Sequence, residues 1–124
     1  MTDLHFPPRE LAVMSVLWRL GPSTVTEVRE GLDEDLAYTT VLSALQTLEE
    51  KGYVTHEAVG RAYRYEAAVP ADRAGRSAIA RIKEAIFQGS SEAMLTQMVS
   101  DRKLGRAELE RMRALLDARL EEEK

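Results

Sequence analysis

The chain has 124 residues, a formal net charge of −4, an apolar fraction of 44% and no cysteine. That is enough for one compact domain, or a small domain with an appendage, and it excludes disulfides, thiolate metal sites and a cysteine nucleophile. The charge is uneven: residues 1–70 hold 6 Lys/Arg against 11 Asp/Glu, while residues 71–124 hold 11 against 10.

Met1 to Pro7 read as a short arm without the charged and apolar regions of a signal peptide. Pro8 suits a first helical turn, where its missing N–H costs nothing. A helix is predicted from Pro8 to about Leu20, with Leu11, Met14, Val16, Leu17, Trp18 and Leu20 as a broad apolar surface. Trp18 is read as core rather than as a functional aromatic. Gly21-Pro22 stops this helix. Thr24, with Glu27 three residues on, makes a capping box for a second helix that buries Val25, Val28 and Leu32. The same N-terminus can face a phosphate, and the two roles are compatible. Gly31 lies near the end of this helix, and Asp33-Glu34-Asp35 form a solvated acidic turn.

The third helix, Tyr38 to about Lys51, sets Val41, Leu45 and Leu48 at i, i+4 and i+7, the spacing of a buried face. Its other faces carry Tyr38, Thr39, Ser43, Gln46 and Thr47, mostly short uncharged hydrogen-bonding groups. Such a face either meets water or approaches the floor of a DNA major groove. Ala37 before it has no side-chain acceptor, so that end is weakly capped. Gly52 is expected as a left-handed C-terminal cap. Tyr53–Ala58 and Arg61–Ala67 then alternate around a Val59-Gly60 turn, a β-hairpin that must lean on the helices through Val54, Tyr63 or Tyr65. Arg61 and Arg64 flank its tip and inner edge, as a solvated loop or as phosphate or minor-groove contacts. The order helix, helix, helix, strand, strand is that of a winged helix-turn-helix.

Val69-Pro70 marks a boundary between a domain at 1–70 and a helical region at 71–124. Asp72 caps a helix to about Phe87 with Ile79, Ile82, Ile86 and Phe87 on one side. Ser90 or Ser91 caps another with Met94, Leu95, Met98 and Val99 buried. The last runs from about Arg106 to Glu123 with Leu109, Met112, Leu116 and Leu120 in a stripe broadened by Leu115. Helices this short are marginal alone in water. They either pack against the same helices of a second copy as a twofold interface or fold back on their own domain. The methionines are read as gap-filling core. No apolar run approaches the roughly 18 residues of a membrane span, so the expected location is the cytoplasm.

On these residues the sequence resembles the penicillinase-repressor (BlaI/MecI/CopY) family over nearly its whole length. The resemblance is carried by Glu10-Leu11-Ala12-Val13-Met14-Ser15-Val16-Leu17-Trp18, Thr24-Val25-Thr26-Glu27-Val28 and Leu36-Ala37-Tyr38-Thr39-Thr40-Val41-Leu42. Leu48-Glu49-Glu50-Lys51-Gly52-Tyr53-Val54 and Gly60-Arg61-Ala62-Tyr63-Arg64-Tyr65 complete it. It implies a dimeric repressor that occludes a promoter at an inverted-repeat operator, commonly with TACA and TGTA half-sites, and a C-terminal dimerisation region. In the antibiotic-resistance members a membrane sensor protease signals, and the repressor is cut between an Asn and a Phe. Gln97-Met98 occupies that place here, and neither residue matches. The copper-responsive branch uses a cysteine cluster, which this chain lacks. Some members carry Lys or Arg early in the reading helix, where this chain has Thr39 and Leu42.

Base contacts are therefore assigned to Thr39, Thr40, Ser43 and Gln46. Ser and Thr pair with either base type, a Thr methyl packs on thymine, and Gln pairs with adenine. Tyr38 either touches phosphate through its hydroxyl or covers the helix start. Lys51, Arg61 and Arg64 are the expected phosphate contacts, and so few cations imply a shallow salt dependence. The expected partners are palindromic double-stranded DNA, a second copy of the chain and, from the resemblance, a membrane sensor protease. No cofactor, metal or small-molecule substrate is expected. An alternative is a winged-helix protein-interaction module, which the acidic balance favours. An enzyme is not expected, because His5 and His56 stand apart and no nucleophile–base pair or phosphate loop is present.

Overall fold

The computed structural model describes residues 4–124. Its elements in order are helices α1 (Pro8–Leu20), α2 (Val25–Gly31) and α3 (Tyr38–Glu50), strands β1 (Val54–Val59) and β2 (Ala62–Ala67), and helices α4 (Ala71–Phe87), α5 (Ser91–Val99) and α6 (Arg106–Glu122). The chain divides into two compact units, one reaching Ile79 and the other spanning Ala80–Lys124, so the division falls inside α4.

The first unit has an apolar core. Val13, Met14, Val16 and Leu17 of α1 meet Val25 and Val28 of α2 and Val41, Ala44, Leu45 and Leu48 of α3. Val54 and Tyr65 close it from the hairpin. The expected face of α1 is corrected in part. Leu11 and Leu20 are exposed, while Val13, absent from the expected stripe, is fully buried. Elements α2, α3 and β2 pack against the side of α1 that carries Val13, Met14, Val16 and Leu17, and Leu11 and Leu20 lie outside it. Trp18 is half-buried; its indole N–H donates to the Val69 carbonyl at 2.9 Å and ties α1 to the exit of the hairpin.

The arm is a second correction. Met1 to Asp3 lie outside the described residues, but Leu4 and Phe6 are buried in the core. The Leu4 N–H donates to Ser77 Oγ at 3.1 Å, and Phe6 meets Trp18 and Tyr53 edge-on at 6.1 and 5.0 Å between ring centroids. Two apolar residues in a short polar segment carry no periodicity, so only packing reveals them.

Local chemistry sets the helix ends. Thr24 Oγ1 accepts from the Glu27 N–H, and the Glu27 carboxylate accepts from the Thr24 N–H at 2.9 Å, which is the expected capping box. No side chain caps α3 at Ala37. At its other end Gly52 has φ +85°. There the Tyr53 N–H reaches the Leu48 carbonyl and the Gly52 N–H that of Glu49, satisfying two otherwise orphaned acceptors. Between α1 and α2, a Cβ at Gly31 would lie 2.8 Å from Val16 Cγ1, so glycine allows the helices to close on one another. Arg19 seals this contact by donating to the Gly31 carbonyl at 2.9 Å.

The hairpin is antiparallel, in register from Val54↔Ala67 to Val59↔Ala62, so the turn is Gly60-Arg61 rather than Val59-Gly60. Ser23, between α1 and α2, bridges Tyr65 with backbone bonds of 2.9 and 2.8 Å. This third short partner was not anticipated and supports a two-stranded element that would be marginal alone. Of the residues expected to anchor the wing, Val54 and Tyr65 are buried (1% and 2% exposed), but Tyr63 is 56% exposed. Tyr63 shares the inward face with Tyr65 but sits beyond the reach of the core, nearer the tip.

The second unit is different. No residue from Ala80 to Lys124 is buried. Ser90 caps α5, its Oγ accepting from the Ala93 N–H at 3.0 Å. Arg106–Glu110 at 3.0 Å is an i,i+4 ion pair on α6. Along the expected stripes, Ile82, Ile86, Met98, Val99, Leu109, Leu116 and Leu120 are exposed, as is Ile79 at the end of the first unit. Met94, Leu95 and Met112 are half-buried. No helix among the described residues is long and apolar enough to cross a membrane.

Candidate nucleic-acid interface

Helix α3 is held from three sides: α1 and α2 pack on its buried stripe, and β1 packs near its C-terminal end. Its remaining face is therefore fixed in orientation. Thr39, Ser43 and Gln46, spaced i, i+4 and i+7, are exposed there; Thr40 and Thr47 are half-buried at its margin. Thr39, Thr40, Ser43, Ala44 and Thr47 line a groove with Arg9 and Glu10 of α1. Apart from Glu10, which is paired as described below, and Arg9, this wall is small and uncharged. Groups of this size let a surface come close and still offer hydroxyls to it.

The structure gathers Thr39, Thr40 and Ser43 in this groove, but not Tyr38, Gln46 or Lys51. Tyr38 is half-exposed at the first turn, on the side whose field reaches Tyr65. Burial holds the Tyr65 hydroxyl above its usual range, with Glu49, Tyr38 and Tyr63 pushing the same way. Lys51 is committed within the chain: its Nζ lies 2.8 Å from Glu10 Oε1, and the Glu10 side chain is only 15% exposed. Arg61 stands in the turn of the wing, exposed. The register places Arg64 opposite Glu57, on the face turned away from Tyr65 rather than at an inner edge.

Four residues of the groove lie outside the expected site: Arg9, Glu10, Ala44 and Thr47. Thr47 is four residues from Ser43 and seven from Thr40, so helical period alone could have added it. Arg9 comes from another helix, and nothing in its local sequence points to α3.

At the C-terminal end of α3, His56 Nδ1 of β1 donates to both Glu49 carboxylate oxygens at 2.7 Å, tying the wing to the helix. The rings of Tyr63 and Tyr65 flank His56 at 4.8 and 5.3 Å. On the acidic side, Arg29 Nε donates to the Leu36 carbonyl at 2.6 Å and fixes the turn that delivers the chain into α3. The capping bonds from Thr24 hold the Glu27 carboxyl below its usual range, with the nearby Arg64 adding to the effect.

The penicillinase repressor family pattern matches residues 6–118, nearly the whole chain. Transcriptional regulator BlaI of Mycobacterium tuberculosis is 49% identical over 59 residues, which cover 45% of this chain and 43% of that protein. The aligned stretch thus spans less than half the length of this curated relative. Among solved structures, a transcriptional regulator from Thermotoga maritima superposes with a TM-score of 0.53 at 19% identity, over 91% of this chain and 77% of that one. A probable transcriptional regulator from Pseudomonas aeruginosa gives 0.51 at 24% identity, over 93% and 78%. At such identities the likeness speaks to the fold alone, a winged helix-turn-helix.

Proposed function

On the premise that this chain belongs to the penicillinase repressor family, we propose that it is a transcriptional repressor that binds DNA as a dimer at an inverted-repeat operator and occludes the promoter. The observation that carries the reading is the α3 face: short hydroxyl side chains at Thr39, Thr40 and Ser43, exposed or at the margin, on a helix anchored by three neighbours. A rigid helix with such a face meets the first requirement of base readout, which is placement of side chains against base edges without reorganisation.

In this reading Thr39, Thr40, Ser43 and Gln46 face base edges, and the Tyr38 hydroxyl faces a phosphate at the margin. Arg61 and Arg64 bind phosphate from the wing, and the α2 N-terminus adds its free N–H groups. Dimerisation belongs to the helices after Pro70. Ile79, Ile82, Ile86, Met98, Leu109, Leu116 and Leu120 are exposed on helices that bury nothing beyond Ala74, and exposed apolar surface of this kind marks interaction sites. A second copy covers these stripes together with Met94, Leu95 and Met112. A membrane sensor protease, as a partner, would have to unwind α5 to reach the Gln97–Met98 bond, which lies inside that helix.

The test is a mobility-shift and footprinting assay of the purified chain on the DNA just upstream of its own gene, with competitor DNA present. A discrete shift with protection over a dyad is expected. Arg61→Ala should weaken all operators about equally, while Thr40→Ala or Ser43→Ala should change the preference between operators. A shift abolished by competitor would overturn operator binding and favour the interaction-module reading, which the excess of acids in residues 1–70 supports.

A further inference from the structure

The α3 face contains no cation, yet a close approach to DNA needs positive charge beside the reading side chains. The groove supplies it from α1. Arg9, the second residue of α1, is exposed and lines the same groove as Thr39, Thr40 and Ser43. Its guanidinium makes no hydrogen bond or ion pair with any described residue. It also borders a groove on its other side that contains Asp33 and Glu34, and it pairs with neither. Its neighbour Glu10 brings a carboxylate into the groove wall, where phosphate would be repelled. Lys51 lies 2.8 Å from that carboxylate and neutralises it. The two basic residues at this edge of the reading helix thus differ in state: one is free, the other spent on an internal acid.

Resting on the repressor reading, we propose that Arg9 is the phosphate-binding cation of the reading helix, and that Lys51 acts indirectly by cancelling the charge of Glu10 in the groove. This revises the assignment of Lys51 as a direct phosphate contact. A guanidinium at the start of α1 lies outside the line of base-reading side chains and flanks them, which suits the DNA backbone rather than base edges. Arg9 therefore contributes affinity and register but no sequence preference.

The experiment uses the full chain and the duplex that the wild type protects in its own promoter, with binding followed by fluorescence anisotropy over a salt series. Arg9→Gln should weaken binding equally for the protected duplex and its single-base variants. It should also lower the slope of log affinity against log salt by about one per bound chain, which is about a threefold change over a fourfold range of salt. Arg9→Lys should keep the slope, because a phosphate accepts a point charge where a bidentate base contact would not. Lys51→Gln should weaken binding, and the double variant Lys51→Gln with Glu10→Gln should recover it to within about twofold of the wild type, the change a charge-neutral groove predicts. An unchanged slope in Arg9→Gln, or a change in base preference, overturns the role of Arg9. A double variant as weak as Lys51→Gln alone makes Lys51 a direct contact and overturns its indirect role. A wild type that protects no duplex fails at the earlier step and removes the repressor reading itself.

Discussion

The two units of this chain treat apolar residues in opposite ways. In the first, Met14, Leu17, Val41, Leu45 and Leu48 are sealed from water by neighbours in the same chain. In the second, leucines and isoleucines with equally regular spacing stay exposed: Ile86 at 63%, Leu116 at 50% and Leu120 at 66%. Periodicity is thus a statement about what a helix face is able to bury, and not about what covers it. A unit with its own core can hold the exposed face of α3 in a fixed orientation. A unit whose stripes remain open has stability left to gain from association.

The sharpest way to break this comparison is to truncate one leucine in each unit. Leu45→Ala should cost about 2–5 kcal/mol, because it opens a cavity in a close-packed site. The midpoint of chemical unfolding measures it. Leu116→Ala, measured at concentrations where the chain is monomeric, should change stability by no more than about 0.5 kcal/mol, the usual range of an exposed position. Its effect should instead appear in sedimentation as a weaker dimer. Equal losses of monomer stability from the two truncations would erase the distinction between the units.

Gly52→Ala sharpens the first half of the comparison. A Cβ there meets no atom within 4 Å, so the only penalty is the left-handed backbone at φ +85°, about 1–2 kcal/mol. A thermal melt reads it. Thr24→Ala should cost about 1 kcal/mol through loss of the cap on α2, and far-UV circular dichroism during chemical unfolding reports it. The smallest effect is a pH dependence. Because the folded Glu27 carboxyl titrates below its ordinary value of 4.5, its contribution is complete above that value and is lost as pH falls through the lower folded value. Glu27→Gln should flatten the stability profile in that acidic window. A Gln variant with an unchanged profile would assign the acid sensitivity to other carboxylates.

Much of the winged unit was legible in the residues themselves. The Thr24–Glu27 box, the Gly52 cap and the Val41–Leu45–Leu48 stripe are all short-range patterns, in which one residue's role depends on partners three to seven positions away. The wing was legible as two alternating segments, but its turn shifted by one residue and Tyr63 proved exposed. Alternation specifies a shared face, whereas the distance from the core along that face depends on packing. Leu4 and Phe6 are buried although two apolar residues form no period that would mark them as core.

The candidate site divides in the same way. Thr39, Thr40 and Ser43 were visible because they lie on one helix with a known repeat, and Thr47 would have followed from the same repeat. The relation of Lys51 to Glu10 spans 41 residues, and the position of Arg9 beside α3 spans at least 30. By itself the sequence determined the helices, the Thr24–Glu27 cap of α2, the Gly52 cap of α3 and the uncharged character of the exposed α3 face, since each rests on hydrogen bonds and spacing within a few residues. Asp72, expected to cap α4, lies instead within its first turn. Only the tertiary structure decided which cation is free and which acid is neutralised, because charges act through space, and the fold alone brings α1 against α3.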